Sequence, residues 1–157
     1  MGICGGYQML GQRIEDKEGI EGPPRSVPGL GLLDVVTVMG AEKRLALTTA
    51  THLASGTKVK GYEIHLGATD GPDRARAWLN VAGRGEGAAS PDGRVRGCYL
   101  HGMFAADDFR AAFLAELGAS ASAGNYGESV EHTLDALANH LEAHLDVDKI
   151  LALAAPV

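Results

Sequence analysis

The residues best suited to chemistry lie at the start of the chain, where a cysteine stands among glycines. The segment Gly2-Ile3-Cys4-Gly5-Gly6 has the glycine–x–nucleophile–x–glycine form of a nucleophile elbow. In an elbow a strand enters a tight turn, the nucleophile occupies the apex and a helix leaves, and the glycines relieve crowding around the strained backbone. The run Tyr7-Gln8-Met9-Leu10-Gly11 can begin that helix. The sequence therefore predicts a nucleophilic thiol at Cys4; the simpler interpretation is a small buried apolar side chain.

A cysteine nucleophile needs a base, and two of the six histidines are placed to supply one. His65 and His101 each end a strand-like run and are closely followed by glycine, where open α/β sheets put functional side chains. Strand alternation predicts that His65 shares a face with Glu63 and that His101 shares a face with Tyr99. Spacing alone leaves both histidines open as the base.

The arrangement of the other four histidines does not indicate a metal site. His132, His140 and His144 fall in a C-terminal helical segment, where His140 and His144 are one turn apart but have no evident third ligand. His52 stands beside a predicted turn and has no neighbouring group that suggests chemistry.

Short apolar runs bounded by glycines predict the strands that would position the cysteine and the histidines. Three prolines within residues 21–29 predict a loop there. The predicted strands cover residues 30–38, 44–49, 58–66, 75–82 and 94–101.

From residue 106 onward the pattern becomes helical. The first predicted helix ends near Gly118, and residues 119–127 are rich in small side chains, which predicts a loop. Asp146 is the predicted N-cap of a last helix that ends near Ala155. Helical spacing is carried by Phe109, Phe113, Leu114 and Leu117 in the first helix, and by Val130, Leu134, Leu137, Leu141 and Leu145 in the second.

Composition excludes several classes of protein. The 157 residues are 45% hydrophobic and 22% charged, which is enough to bury a core, and the net charge of −6 leaves no basic face for nucleic acid. No apolar stretch is long enough to span a membrane, and the N-terminus lacks a secretory signal. The two cysteines are therefore expected to be free thiols in a cytoplasmic protein.

Three motifs, in this order, are similar to those of a known family. The segments 2–11, 61–67 and 97–104 resemble the glutamine amidotransferase domain of the cobyric acid synthase family, and residues 134–146 resemble the end of that domain. The likeness covers almost the whole chain, so one amidotransferase domain is expected over residues 1–157. The combination of the three motifs is highly specific, whereas the elbow alone is not.

This resemblance implies an α/β sandwich of the class I glutamine amidotransferase type, with a mixed, mostly parallel sheet. In that family the cysteine attacks the side-chain amide of glutamine and releases ammonia through a glutamyl thioester, which water hydrolyses. The ammonia is used by an ATP- and Mg-dependent synthetase domain, which amidates peripheral carboxylates of the corrinoid adenosylcobyrinic acid a,c-diamide. The resemblance implies that the chain itself binds glutamine and no cofactor.

The resemblance also assigns roles to individual residues. Cys4 matches the nucleophile, His101 the catalytic histidine, and Gly5 the position whose backbone N–H helps to hold the oxyanion. The residues expected to bind or border the substrate are Gly5, Gln8, Tyr62, Glu63 and His65.

Two positions depart from the general pattern of this class. Relatives with a full triad carry a glutamate two residues after the histidine, whereas this chain has Met103, which predicts a Cys–His dyad. Glu63 is an alternative carboxylate that could orient the imidazole. Cys98 stands where relatives more often carry threonine, and a packing role is expected for it.

Only three residues precede Cys4, and the chain contains no G-x-x-x-x-G-K-[ST] phosphate loop. We therefore expect a C-terminal part of a longer enzyme, incomplete at its N-terminus. A sheet that lacks the strands before the elbow has an exposed edge, which predicts self-association into a homo-oligomer. Two other interpretations stay open: the amidotransferase subunit of a lipid II isoglutaminyl synthase, and a catalytically silent fragment.

Overall fold

A computed structural model describes residues 1–119 and 124–154. The chain forms two compact units, Met1–Ser122 and Ala123–Val157. The organisation as one amidotransferase domain stays a prediction. The first unit carries the strands and two helices, α1 (Gly5–Leu10) and α2 (Asp107–Glu116). Its strands are β1 (Gly2–Ile3), β2 (Arg13–Asp16), β3 (Arg25–Pro28), β4 (Val36–Val38), β5 (Arg44–His52), β6 (Lys58–His65), β7 (Ala68–Asp70), β8 (Leu79–Val81), β9 (Arg84–Glu86), β10 (Ala88–Ala89), β11 (Arg96–Cys98) and β12 (Leu100–His101).

The strands form three sheets, with orders β1-β11-β10, β12-β6-β5-β8-β9 and β3-β2-β4-β7. Parallel pairing joins β1 to β11 and β2 to β4, and the other ladders of the described residues are antiparallel. This mixed α/β architecture agrees with the expected fold class, but the expectation of a mostly parallel sheet is wrong for the described residues. Antiparallel pairs predominate because consecutive strands such as β5 and β6 are joined by short connections.

Two apolar clusters hold the sheets together. One surrounds the fully buried Phe109 of α2 and includes Cys98 and Leu100; the other lies between α1 and the first sheet and centres on Tyr7. The Tyr7 ring packs so tightly on β11 that a Cβ at Gly97 would come within 2.2 Å of it. Glycine at this position therefore lets α1 lie against the strand that pairs with β1.

The predicted loop over residues 21–29 is partly wrong, because β3 forms within it. β3 is the edge strand of its sheet and ends at Pro28. An edge strand tolerates a proline because one side of its backbone needs no ladder partner. In the predicted strand over residues 30–38, only the last three residues form a ladder, as β4.

Two other predicted strands are interrupted. The run 75–82 begins in a 3-10 helix, Pro72–Arg76, and becomes extended only at β8. The run 94–101 breaks at Tyr99, so that β11 belongs to one sheet and β12 to another. The runs 44–49 and 58–66 are confirmed as β5 and β6, although β5 continues to His52.

The helices agree with the apolar spacing. α2 ends before Gly118, which has a left-handed φ of 77° and so fits the predicted C-terminal stop. In the second unit α3 (Tyr126–His144) begins inside the predicted loop of residues 119–127; residues 120–123 of that loop lie outside the described residues. Asp146 caps α4 (Val147–Leu153) as predicted, since its side chain accepts a hydrogen bond from the Lys149 amide at 3.0 Å. Ala155 lies outside the described residues.

Candidate active site

Cys4 occupies the apex of a strained turn between β1 and α1. Its φ of 55° and ψ of −118° are rare for a residue other than glycine. The Cys4 amide donates to the Cys98 carbonyl at 2.9 Å, which extends the β1–β11 ladder up to the turn. The first hydrogen bond of α1 follows at once, from the Gln8 amide to the Cys4 carbonyl at 3.1 Å. This strand–turn–helix geometry is that of a nucleophile elbow, as the sequence predicts.

The glycines of the elbow have different reasons to be glycine. A Cβ at Gly2 would lie 2.5 Å from the Gly6 carbonyl oxygen, so the turn closes only without a side chain there. A Cβ at Gly5 or Gly6 would meet nothing within 4 Å. The amides of Gly5 and Gly6 precede the first helical hydrogen bond of α1, so the helix itself provides no acceptor for them.

The thiol of Cys4 is half-buried and lies against β6. Its Sγ donates to the Ile64 carbonyl oxygen at 3.5 Å rather than to a histidine. Ile64 and Tyr62 lie two residues apart on one strand, which places their side chains about 7 Å apart on the same face. Because Tyr62 is the ring partner of His101, Cys4 and His101 both border this short stretch of β6.

His101 is the last residue of β12, opposite Tyr62 in the antiparallel ladder. The two rings are stacked, with centroids 5.0 Å apart and an interplanar angle of 7°. The Nε2 atom of His101 is buried and has no hydrogen-bond partner among the described residues. The imidazole is therefore held by stacking on the Tyr62 ring. No carboxylate among the described residues contacts its ring nitrogens.

The prediction that His101 shares a face with Tyr99 is wrong. Tyr99 stacks on His65, with centroids 3.7 Å apart, whereas His101 stacks on Tyr62. Tyr62 and His65 are three residues apart on β6 and therefore face opposite sides of the sheet. Alternation fails between Tyr99 and His101 because the chain changes sheets at Tyr99.

His65 lies on the face of β6 that Glu63 also occupies, as predicted. Its Nδ1 is 3.1 Å from the Gly67 carbonyl oxygen, and its ring lies flat against Tyr99. Burial lowers the pKa of His65 below its usual value, because desolvation opposes the charged imidazolium. His65 is thus a neutral, positioned donor or acceptor beside the site.

Glu63 does not orient His101, which corrects the alternative drawn from the sequence. Its carboxylate is buried and is paired with Arg44 through one oxygen and with Arg84, at 3.2 Å, through the other. Arg84 also pairs with Glu86 at 2.9 Å. The Glu86 carboxylate in turn accepts the Tyr99 amide at 3.1 Å. This chain of ion pairs fixes the backbone at the point where β11 and β12 separate.

A cavity of about 560 Å³ opens on this side of β6. Its wall is largely apolar but carries both signs of charge, and it does not include Cys4 or His101. Tyr7 contributes a hydroxyl that is buried and has no partner among the described residues. The wall includes Arg44, Glu63, His65, Arg84, Glu86 and Tyr99.

Gln8 connects the elbow with this cavity. Its Nε2 donates to the Leu66 carbonyl at 3.1 Å and to the Tyr99 hydroxyl at 3.2 Å. Tyr99 in turn contacts Thr69 through a hydroxyl pair 2.6 Å apart. Gln8 is therefore held rigidly one helical turn beyond Cys4.

Sequence reasoning missed several side chains of this region. Arg44, Arg84 and Glu86 were not predicted, although Arg44 and Glu63 lie on one face of the β5–β6 hairpin as an opposite-charge pair. Tyr99 also links Gln8 to His65, a contact that depends on the break after β11. A hairpin register worked out from the sequence could have paired Arg44 with Glu63, but no sequence pattern places Arg84.

The two cysteines are free, as expected. Cys98 is fully buried beside Leu100, and burial raises the pKa of its thiol to about 12. The expected packing role agrees with this environment. In residues 1–119 and 124–154 no group of three or more His, Cys, Asp or Glu side chains could hold a metal ion. The rings of His140 and His144 simply stack on α3, and none of the described helices is long and apolar enough to cross a membrane.

Comparison with known proteins identifies the family. Residues 1–109 match the family model described as the CobB/CobQ-like glutamine amidotransferase domain. The chain therefore belongs to this family of glutamine amidotransferases, as the sequence motifs predicted.

The chain is also similar to cobyric acid synthases of several bacteria. It is 62% identical over 154 residues to the protein of Cereibacter sphaeroides and 57% identical over 157 residues to that of a Ruegeria species. These alignments cover 98% and 100% of this chain but 32% of each relative. The chain thus spans about a third of the length of the relatives that it matches.

Proposed function

We propose that this member of the CobB/CobQ-like glutamine amidotransferase family hydrolyses glutamine, with Cys4 as the nucleophile and His101 as the general base. The observation that carries the proposal is the strained apex at Cys4, where the backbone adopts a conformation that few side chains tolerate. Strain of this kind persists at functional sites because it presents a side chain that a relaxed turn would not.

The reaction needs a rearrangement that brings the thiol to the imidazole. Sγ exchanges its contact with the Ile64 carbonyl for one with His101, whose imidazole removes the thiol proton. The thiolate attacks the side-chain amide carbon of glutamine, and the oxyanion that forms is held by the Gly5 amide. The imidazolium returns its proton to the amide nitrogen, and ammonia leaves. Water then cleaves the thioester, giving glutamate and the free thiol.

The amino-acid end of glutamine would occupy the cavity on the Glu63 and His65 face of β6. Arg44 could pair with the α-carboxylate there, and Glu63 and His65 border the same space. Gln8 contributes by fixing Tyr99, whose ring supports His65. The neutral state of His65 suits a hydrogen bond to the substrate ammonium or carboxylate rather than a second ion pair. Tyr62 acts on the opposite face of β6, next to His101.

The relatives named cobyric acid synthase support a wider proposal. In it, the ammonia passes to an ATP- and Mg-dependent synthetase part, which amidates the corrinoid adenosylcobyrinic acid a,c-diamide in the cytoplasm. This chain would supply ammonia and bind neither ATP nor the metal. Self-association into a homo-oligomer likewise stays a prediction.

Ammonia release from glutamine tests the proposal in three matched variants. We expect Cys4→Ala and His101→Ala to lower kcat by at least about a thousandfold, because each removes one member of a dyad that acts as a unit. The control Cys98→Ala removes a thiol of the core and should retain the activity of each folded molecule. Undiminished ammonia release in either dyad variant would overturn the assignment.

A further inference from the structure

Among residues 1–119 and 124–154, no carboxylate contacts the imidazole of His101 in the way that a triad carboxylate orients its histidine. Two residues later in the chain, Met103 is fully buried in the core. Glu63, on the paired strand, has both carboxylate oxygens engaged by Arg44 and Arg84. A base that must receive a proton at a defined distance still has to be held, so another contact must restrict the ring.

Tyr62 provides that contact. Its ring is nearly parallel to the imidazole, at an angle of 7°. Since Tyr62 and His101 are directly opposite each other in the β6–β12 ladder, the backbone hydrogen bonds fix their separation. A stacked ring limits tilting and leaves the in-plane nitrogen lone pair free to accept a proton, whereas a hydrogen bond would occupy one of the nitrogens.

The backbone beside this pair is built for close approach. A Cβ at Gly61 would lie 2.1 Å from the carbonyl oxygen of His101, so a larger residue would push β12 away from β6. Gly102 follows His101 with a left-handed φ of 74°, which turns the chain so that Met103 enters the core. These two glycines therefore set the spacing at which the rings stack.

We propose that Tyr62 is a positioning residue that orients the His101 imidazole through ring stacking, in the role that a carboxylate plays in a triad. This inference rests on the proposed glutaminase function. The aromatic ring of Tyr62, and not its hydroxyl, orients the imidazole. Tyr62 is 42% exposed, so its replacement changes the surface beside the dyad rather than the core.

Steady-state ammonia release should be compared in Tyr62→Phe, Tyr62→Leu and Tyr62→Thr. Phenylalanine keeps the stack and should keep kcat within about twofold of the wild type. Leucine and threonine remove the ring, and we expect kcat to fall by about tenfold with little change in KM, which corresponds to the loss of one aromatic pair. Tyr126→Leu, at an exposed position of α3, is the control and should match the wild type.

A second measurement follows the ring itself. The NMR signals of the His101 carbon-bound ring protons should be shifted upfield by the Tyr62 ring in the wild type and in Tyr62→Phe, and should move downfield in Tyr62→Leu and Tyr62→Thr. Thermal unfolding of each variant identifies any that does not fold, and the threonine variant retains strand propensity if the leucine variant fails.

Each outcome decides the matter. A kcat of Tyr62→Leu or Tyr62→Thr equal to that of the wild type, or a loss in Tyr62→Phe as large as in Tyr62→Leu, would overturn the positioning role. Absence of glutaminase activity in the wild type would instead contradict the proposed function; the ring-proton shifts would then still decide whether Tyr62 holds the imidazole. An unshifted His101 signal in the wild type would overturn the stack.

Discussion

Cys4 follows the end of β1, and Cys98 is the last residue of the neighbouring strand β11, yet the surroundings of the two cysteines differ sharply. Cys4 stands at a strained apex, half-buried, with its thiol beside the Ile64 carbonyl. Cys98 is fully buried, and burial raises the pKa of its thiol to about 12. The Cys4 amide donates a hydrogen bond to the Cys98 carbonyl at 2.9 Å. Cys4 and Cys98 are thus adjacent in space, but they differ in exposure and in backbone conformation.

This difference explains why Cys4, and not Cys98, is the proposed nucleophile. The thiolate is the reactive form, and a thiol enclosed by apolar side chains resists ionisation. β1 ends at Ile3 and releases Cys4 into a turn, whereas β11 carries Cys98 into the core around Phe109. The local backbone, rather than the residue type, therefore distinguishes the proposed nucleophile Cys4 from the buried Cys98.

The largest effect on the difference between the two cysteines is expected when the turn at Cys4 is prevented from closing. Gly2→Ala places a Cβ 2.5 Å from the Gly6 carbonyl oxygen, and we expect the free energy of unfolding to fall by about 2–3 kcal/mol. Glutamine hydrolysis should fall with it. Gly5→Ala meets open space and should leave stability within about 1 kcal/mol.

Urea unfolding of the two glycine variants measures the difference. Equal stability of Gly2→Ala and the wild type would show that the elbow does not close as described. A large loss in Gly5→Ala would show that the space beside α1 is filled.

A smaller effect is expected at the inert cysteine. Cys98→Ser puts a hydroxyl into the apolar core, which should lower the free energy of unfolding by about 1–3 kcal/mol. The activity of the folded molecules should be unchanged, because the Cys98 side chain packs in the core and Cys98 contacts Cys4 only through its backbone carbonyl, which the substitution keeps. Chemical denaturation together with ammonia release checks both expectations. A loss of kcat without a loss of stability would show that Cys98 takes part in the reaction.

The smallest effect concerns the pH dependence of the core that encloses Cys98. His52 is buried there between Trp78 and Phe109, and burial lowers the pKa of His52 although Glu116 is 3.6 Å from its Nε2. Below about pH 6.5 the unfolded chain binds a proton that the folded chain does not, so stability falls as the pH falls.

Unfolding measured between about pH 7.5 and 5.5 checks the sign of this dependence. His52→Gln should flatten the slope, whereas His132→Gln, at an exposed position of α3, should leave it unchanged. The buried neutral state of His52 would be contradicted if the free energy of unfolding of the wild type rose on acidification and that rise disappeared in His52→Gln.

Much of the reactive region could be predicted from the sequence because its signals are local. The spacing of glycines around Cys4 specifies a turn, and the glycine after His101 marks a strand end. The helices α2 and α3 follow from apolar spacing, since a helix satisfies its own backbone within a short segment.

The rest depends on contacts between distant segments. The break at Tyr99, the pairing of Glu63 with Arg84 and the edge strand β3 all follow from which strands become neighbours. Sequence alternation holds within one strand and carries no information across a change of sheet. For this reason the family resemblance could single out His101 as the proposed base, whereas alternation did not predict that the Tyr62 ring stacks on it.

The most direct test of the central claim is covalent labelling with an electrophilic analogue of glutamine at neutral pH, followed by mass spectrometry of the peptides. We expect one adduct, on Cys4, that forms slowly in His101→Ala and not at all in Cys4→Ala, while Cys98 stays unmodified. An adduct on Cys98, or labelling of Cys4 that is indifferent to His101, would contradict this claim.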